Sequence, residues 1–84
     1  MKGNYIQLRI NNEIELCEVA DMATKDIVEK ELIKNRISYF INWQRTGLFK
    51  GGKEVGIFCI NENHKEEAEK ILHALGDNIH LKFI

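Results

Sequence analysis

Residues 54–76 read EVGIFCINENHKEEAEKILHALG: a strand, a cap and a helix in succession, and their order decides the fold. From Glu54 to Ile60 the side chains are apolar at both parities, with Val55, Ile57 and Cys59 on one side and Phe58 and Ile60 on the other. A short run of this kind suits a strand covered on both faces. Asn63 can cap the helix that follows, with Glu66 three residues on as its reciprocal partner. Ala68, Ile71, Leu72 and Leu75 recur at i, i+3, i+4 and i+7, a one-sided apolar stripe. Glu66 and Glu67 stand in the first turn, where the helix dipole favours anions. Gly76 ends the helix as a left-handed cap.

Working outward, residues 79–83 form a last strand, with Ile79, Leu81 and Phe83 on one side and His80 and Lys82 on the other. Residues 37–43 (ISYFINW) form the strand before residue 54, with Ile37, Tyr39, Ile41 and Trp43 facing one way and Phe40 the other. Residues 21–35 read as a helix capped by Asp21 or Thr24. Its broad apolar face holds Thr24, Ile27, Val28 and Leu32, Ile33 lies off that stripe, and Asn35 is expected as its left-handed stop. Residues 13–19 alternate Ile14 and Leu16 with Glu13 and Glu15, and then Cys17 and Val19 shift the apolar phase by one. A bulge or burial on both faces explains the shift. Ahead of these, residues 5–10 (YIQLRI) alternate as a further strand, and Asn11-Asn12 suits a tight hairpin turn.

Without that leading strand the order is β-α-β-β-α-β, the split βαβ pattern of ferredoxin-like folds. The expected architecture is α+β. A mainly antiparallel sheet carries two helices on one face, and an extra N-terminal hairpin strand competes with the final strand for one edge of the strand at 13–19.

The composition narrows the function. Eighty-four residues make one domain, 1–84. Twelve Lys and Arg against 13 Asp and Glu leave a net charge of −1, without the basic excess of a dedicated nucleic-acid or anionic-membrane binder. No apolar run is long enough to span a bilayer and no signal-peptide pattern follows Met1, so a cytoplasmic protein is expected. Two cysteines in such a chain are expected reduced and packed. The abundance of Ile, Lys and Asn, whose codons are AT-rich, points to a bacterial source.

The stretch from Ile14 to Leu75, about three quarters of the chain, resembles a family of small bacterial ferredoxin-like, PII-like domains described as putative signal-transducing proteins. The resemblance rests on Val28-Glu29-Lys30-Glu31-Leu32-Ile33-Lys34-Asn35-Arg36-Ile37 leading into the next strand. It rests also on Gly56-Ile57-Phe58-Cys59-Ile60 followed by the acidic helix Glu66-Glu67-Ala68-Glu69-Lys70-Ile71-Leu72. Where that family has a glycine before the isoleucine, this chain has Asn35-Arg36. The resemblance implies a regulatory or ligand-sensing module, often oligomeric, without established catalytic residues or cofactor.

Residues 44–53 (QRTGLFKGGK) hold Arg45, Lys50 and Lys53 with no acid between them, and Gly51-Gly52 can turn backbone amides toward an anion. Arg45, Lys50, Gly51, Gly52 and Lys53 are therefore the expected ligand-binding residues, for a small anionic ligand or a protein partner. Leu48 and Phe49 at the tip suggest an apolar contact. Phe40, Phe58 and Ile60, read as lining the sheet face without helices, complete an interface for a homo-oligomer, since a domain this small buries only about 60% of its unfolded surface or a little more, and association is a common remedy. An RNA-binding domain stacking bases on Phe40 and Phe58, with Arg45 nearby, is the alternative. The net charge and the missing aromatic-and-basic strand motif disfavour it.

No catalytic residue, cofactor or metal site is expected. His64 and His73 stand nine apart on opposite sides of one helix, and neither Cys-x-x-Cys nor His-x-x-x-His spacing occurs. Acylphosphatases share the topology but cradle phosphate with glycines and an arginine after the first strand. Here that position reads Ala20-Asp21-Met22-Ala23.

Overall fold

The computed structural model describes residues 12–46, 53–76 and 79–84. Strand β1, Glu13–Val19, is followed by helix α1, Met22–Lys34. Strands β2, Tyr39–Thr46, and β3, Lys53–Asn61, come next. A 3₁₀ turn at Glu62–His64, helix α2 at Lys65–His73 and strand β4 at Leu81–Phe83 complete the order. All ladders are antiparallel and the strand order is β2-β3-β1-β4. This is the expected α+β architecture and is compatible with a ferredoxin-like fold. The hairpin strand expected at 5–10 lies outside the described residues. On the edge for which it would compete, β4 meets only Cys17, Glu18 and Val19, and the Ile84 amide donates to the Leu16 carbonyl at 3.1 Å.

The phase shift in β1 is a bulge. Glu15 pairs with Cys59 and Cys17 with Phe58, so Leu16 is the extra residue. A bulge lets two successive side chains share a side, and Leu16 and Cys17 are both buried in the core.

Helix α1 starts where Asp21 accepts bonds from the Thr24 amide and the Thr24 hydroxyl, each at 2.9 Å. Thr24 is buried, and its Oγ1 also accepts from the His80 amide at 3.4 Å, which ties the approach to β4 to the head of α1. The helix stops differently from expectation. Asn35 keeps a negative φ and its side-chain amide donates to the Glu31 carbonyl at 2.8 Å. The left-handed residue is Arg36, at φ 60. The Arg36 amide bonds the Ile33 carbonyl and the Ile37 amide bonds the Leu32 carbonyl, the paired pattern that closes a helix with a left-handed residue. Arg36 thus occupies the conformation that glycine favours, directly before Ile37.

The start of α2 also differs. Asn61, not Asn63, caps, accepting from the Asn63 amide at 2.8 Å, and the chain makes one 3₁₀ turn before α2 begins. His64, directly before α2, makes no side-chain cap bond. At the other end Gly76 has φ 78, as expected of a left-handed cap.

Both helices pack on one face of the sheet. Val28 and Leu32 of α1 and Ala68 and Leu72 of α2 join Leu16, Cys17, Val19, Ile37, Phe58 and Ile60 in a single core. Tyr39, Ile41, Ile71, Leu75 and Phe83 pack on its margin. No described helix is long and apolar enough to cross a membrane.

Candidate functional site

The parity of β3 is the reverse of the expected interface. Phe58 and Ile60 lie under the helices, 0% and 1% exposed, and the Phe58 ring sits 5.4 Å from that of Tyr39. They are core residues and contribute nothing to an outer interface. The side chains turned away from the helices are Val55, Ile57 and Cys59, flanked through the ladders by Glu15, Glu18, Phe40 and Asn42. Val55, Ile57 and Cys59 are themselves only 6–7% exposed. Phe40 and Phe58 thus lie on opposite faces, and the two-aromatic platform of the RNA-binding alternative does not exist on this sheet.

Apolar surface is instead exposed along β2, the terminal strand of the described sheet. Phe40 is 46% exposed on the face without helices, and Trp43 is 43% exposed on the other. Asn42, Gln44 and Arg45 are exposed beside them. Gly56 is the residue opposite Trp43 on β3. A Cβ on Gly56 would lie 3.0 Å from both Ile41 Cγ2 and Trp43 Cζ3, so the Ile41 side chain and the Trp43 ring close over bare backbone.

At the start of β2, Tyr39 is tied to α1. Its hydroxyl donates to Glu29 at 2.7 Å, and Lys25 bridges the other carboxylate oxygen at 2.9 Å. Burial, and then the Glu29 carboxylate, push the Tyr39 phenol up to about 12. The Tyr39 bond and then Lys25 hold Glu29 below the usual carboxylate range. Exposed strand, aromatic ring and anchored carboxylate therefore sit at one end of a single edge.

The expected loop site is brought together only in part. Lys50, Gly51, Gly52, Leu48 and Phe49 lie outside the described residues. Arg45 pairs across the ladder with Glu54, and Thr46 with Lys53. Since successive strand residues alternate faces, Arg45 and Lys53 project to opposite sides of the sheet, and an acid stands across from Arg45. These two cations do not converge on one anion. The β2 edge was missed in the sequence because the strand runs to Thr46, three residues past the expected end. Its readable signal was eight residues with a single charge.

Cys17 and Cys59 are both free and buried. Burial raises the Cys17 thiol from 9.0 to about 12. Cys59 is raised too, by burial and then by the Glu15 and Glu13 carboxylates on its face. A thiol raised on folding contributes stability that is whole below pH 9 and is lost as pH rises toward 12. At pH 8 a disulfide reagent is therefore expected to label Cys17 no faster than the protein unfolds. Prompt labelling of Cys17 in the folded protein would contradict this burial.

Among the described residues no group of three His, Cys, Asp or Glu could hold a metal ion. His73 stacks on Phe83 with ring centres 4.2 Å apart, a packing role at the β4 margin. A shallow surface hollow follows Glu66, Glu69, Lys70 and His73 along one side of α2 and gathers groups from that helix alone. No family model, curated protein or solved structure matches the chain.

Proposed function

We propose that this chain is a non-catalytic binding or regulatory module of the bacterial cytoplasm that works by docking a protein partner, and by self-association, along the outer edge of β2. The observation that carries this reading is the pair of exposed aromatics, Phe40 and Trp43, on either side of a terminal strand eight residues long. Natural sheets blunt such edges with lysine, proline, bulges or short strands, because unpaired backbone groups recruit other chains. Strand β4 follows that rule with three residues. Strand β2 has no proline and no lysine, and its pairing with β3 runs from Tyr39 to Thr46 without a register shift. Single exposed apolar side chains need no explanation, but two beside an edge that no described strand pairs form a docking strip. The resemblance to PII-like signal-transducing domains fits a regulatory role. Arg45 at the end of the strip gives the 44–53 loop a part in partner choice, as a charged rim beside an apolar contact. An anionic small ligand is the weaker half of this reading, because Arg45 and Lys53 face apart.

The test is site-specific photocrosslinking inside living cells. A photoreactive amino acid at Phe40 or Trp43 is expected to give discrete protein adducts, and one at exposed Lys30 on α1 none. Absence of adducts from both β2 positions, or equal labelling from position 30, would overturn the assignment.

A further inference from the structure

Resting on that docking reading, we propose that the occupant of the β2 edge is a second copy of this chain, paired antiparallel across a two-fold axis through the two Asn42 residues. A two-fold axis normal to the sheet keeps the helices of both copies on one side. It also requires residues of the same face to meet across the new ladder, as in any antiparallel pair. Two centres on β2 then preserve the longest overlap, Asn42 and Trp43.

Their chemistry differs. Centred on Trp43, the register would set the Arg45 guanidinium against Ile41. Centred on Asn42, it sets Trp43 against the partner's Ile41 twice over, Phe40 against the partner's Gln44, and Arg45 against the partner's Tyr39. Arg45 is the only charge on the strand. In this register it meets an aromatic ring whose hydroxyl is bonded to the Glu29 carboxylate. Cation and ring face are complementary there, while the Glu29 carboxylate behind the ring is already paired with Lys25 at 2.9 Å. The two exposed aromatics come to lie at the join, and two four-stranded sheets become one.

The axis makes a sharp test with the full-length chain. Opposed residues in an antiparallel pair have Cα atoms about 4.5 or 5.5 Å apart, inside the range of about 4.4–6.8 Å that a disulfide spans. Asn42→Cys is therefore expected to oxidise to a covalent dimer in air, with Cys17 and Cys59 buried and silent. Gln44→Cys is the control. Its copies would stand four residues apart along the strands, about 13 Å at ~3.3 Å per residue, and should cross-link at least about tenfold more slowly.

Sedimentation velocity of the unaltered protein at tens of micromolar should show a dimer, and Arg45→Glu should raise its Kd by about tenfold or more. A monomer at about 100 μM, or equal cross-linking from positions 42 and 44, would overturn the proposal. If such a monomer still gives cellular photoadducts from Phe40 and Trp43, the docking reading stands with another partner. If those adducts also fail, both readings fall.

Discussion

Phe58→Ala is expected to lower the unfolding free energy by about 3–5 kcal/mol, the usual cost of emptying a phenylalanine site in a packed core. Phe58 is fully buried, opposite Cys17 on β1 and Ile41 on β2. Neighbours held in a sheet ladder collapse poorly into the space left behind. At roughly 0.05–0.15 kcal/mol per residue, a domain of this length has little stability to spare, and its unfolding midpoint should fall markedly. Guanidinium titration followed by circular dichroism measures the loss. A loss below about 1 kcal/mol, with weakened self-association instead, would place Phe58 on an outer face. Phe40→Ala provides the contrast. It should move stability by no more than about 0.5 kcal/mol while reducing crosslinking and dimer formation.

Gly56→Leu is expected to cost about 1–3 kcal/mol by overpacking and to disable the β2 strip at the same time. The new side chain would enter the space where Ile41 Cγ2 and Trp43 Cζ3 each stand 3.0 Å from the added Cβ. Ile41 is packed against the core and cannot retreat far, whereas Trp43 is partly exposed and can swing outward. Trp43 is the only tryptophan in the chain, so its fluorescence reports the displacement directly. A shift of emission to longer wavelength should accompany the loss of dimer. Unchanged emission together with unchanged stability would mean that Ile41 and Trp43 do not close over Gly56. Gly56→Ala asks for a smaller adjustment and should fall between the two.

The two cap corrections share one cause. Asn35 and Asn63 were the nearest suitable residues by type, but a cap is chosen by where the chain must turn next. Arg36 takes the left-handed position because the Ile37 amide must reach the Leu32 carbonyl for Ile37 to enter the core. Asn61 caps because the turn begins at the end of β3, where the Glu62 amide is already bonded to the Asn12 carbonyl at 2.8 Å. Neither condition is local to the capping residue.

The bulge in β1 is one of two readings of its phase shift, and Ile27, read on the α1 stripe, is 37% exposed. What the chain order and its periodicities determined is the order of the elements from β1 to β4, the apolar stripe of α2, the placing of Val28 and Leu32 on the inner side of α1 and the left-handed close at Gly76. Each follows from side-chain spacing within one segment, where the periods of 3.6 and 2 are independent of the rest of the molecule. What only the tertiary structure decided is the parity of β3, and with it the location of the exposed apolar strip. Val55, Ile57 and Cys59 are as apolar as Phe58 and Ile60, so no alternation within the strand marks its inner side. The glutamates of β1 do mark the outer face, but β1 and β3 are joined through α1 and β2, with no tight turn between them to set register. A slip of one residue would exchange the faces. The packing of Phe58 beneath the helices, with Gly56 under Trp43, selects the observed one.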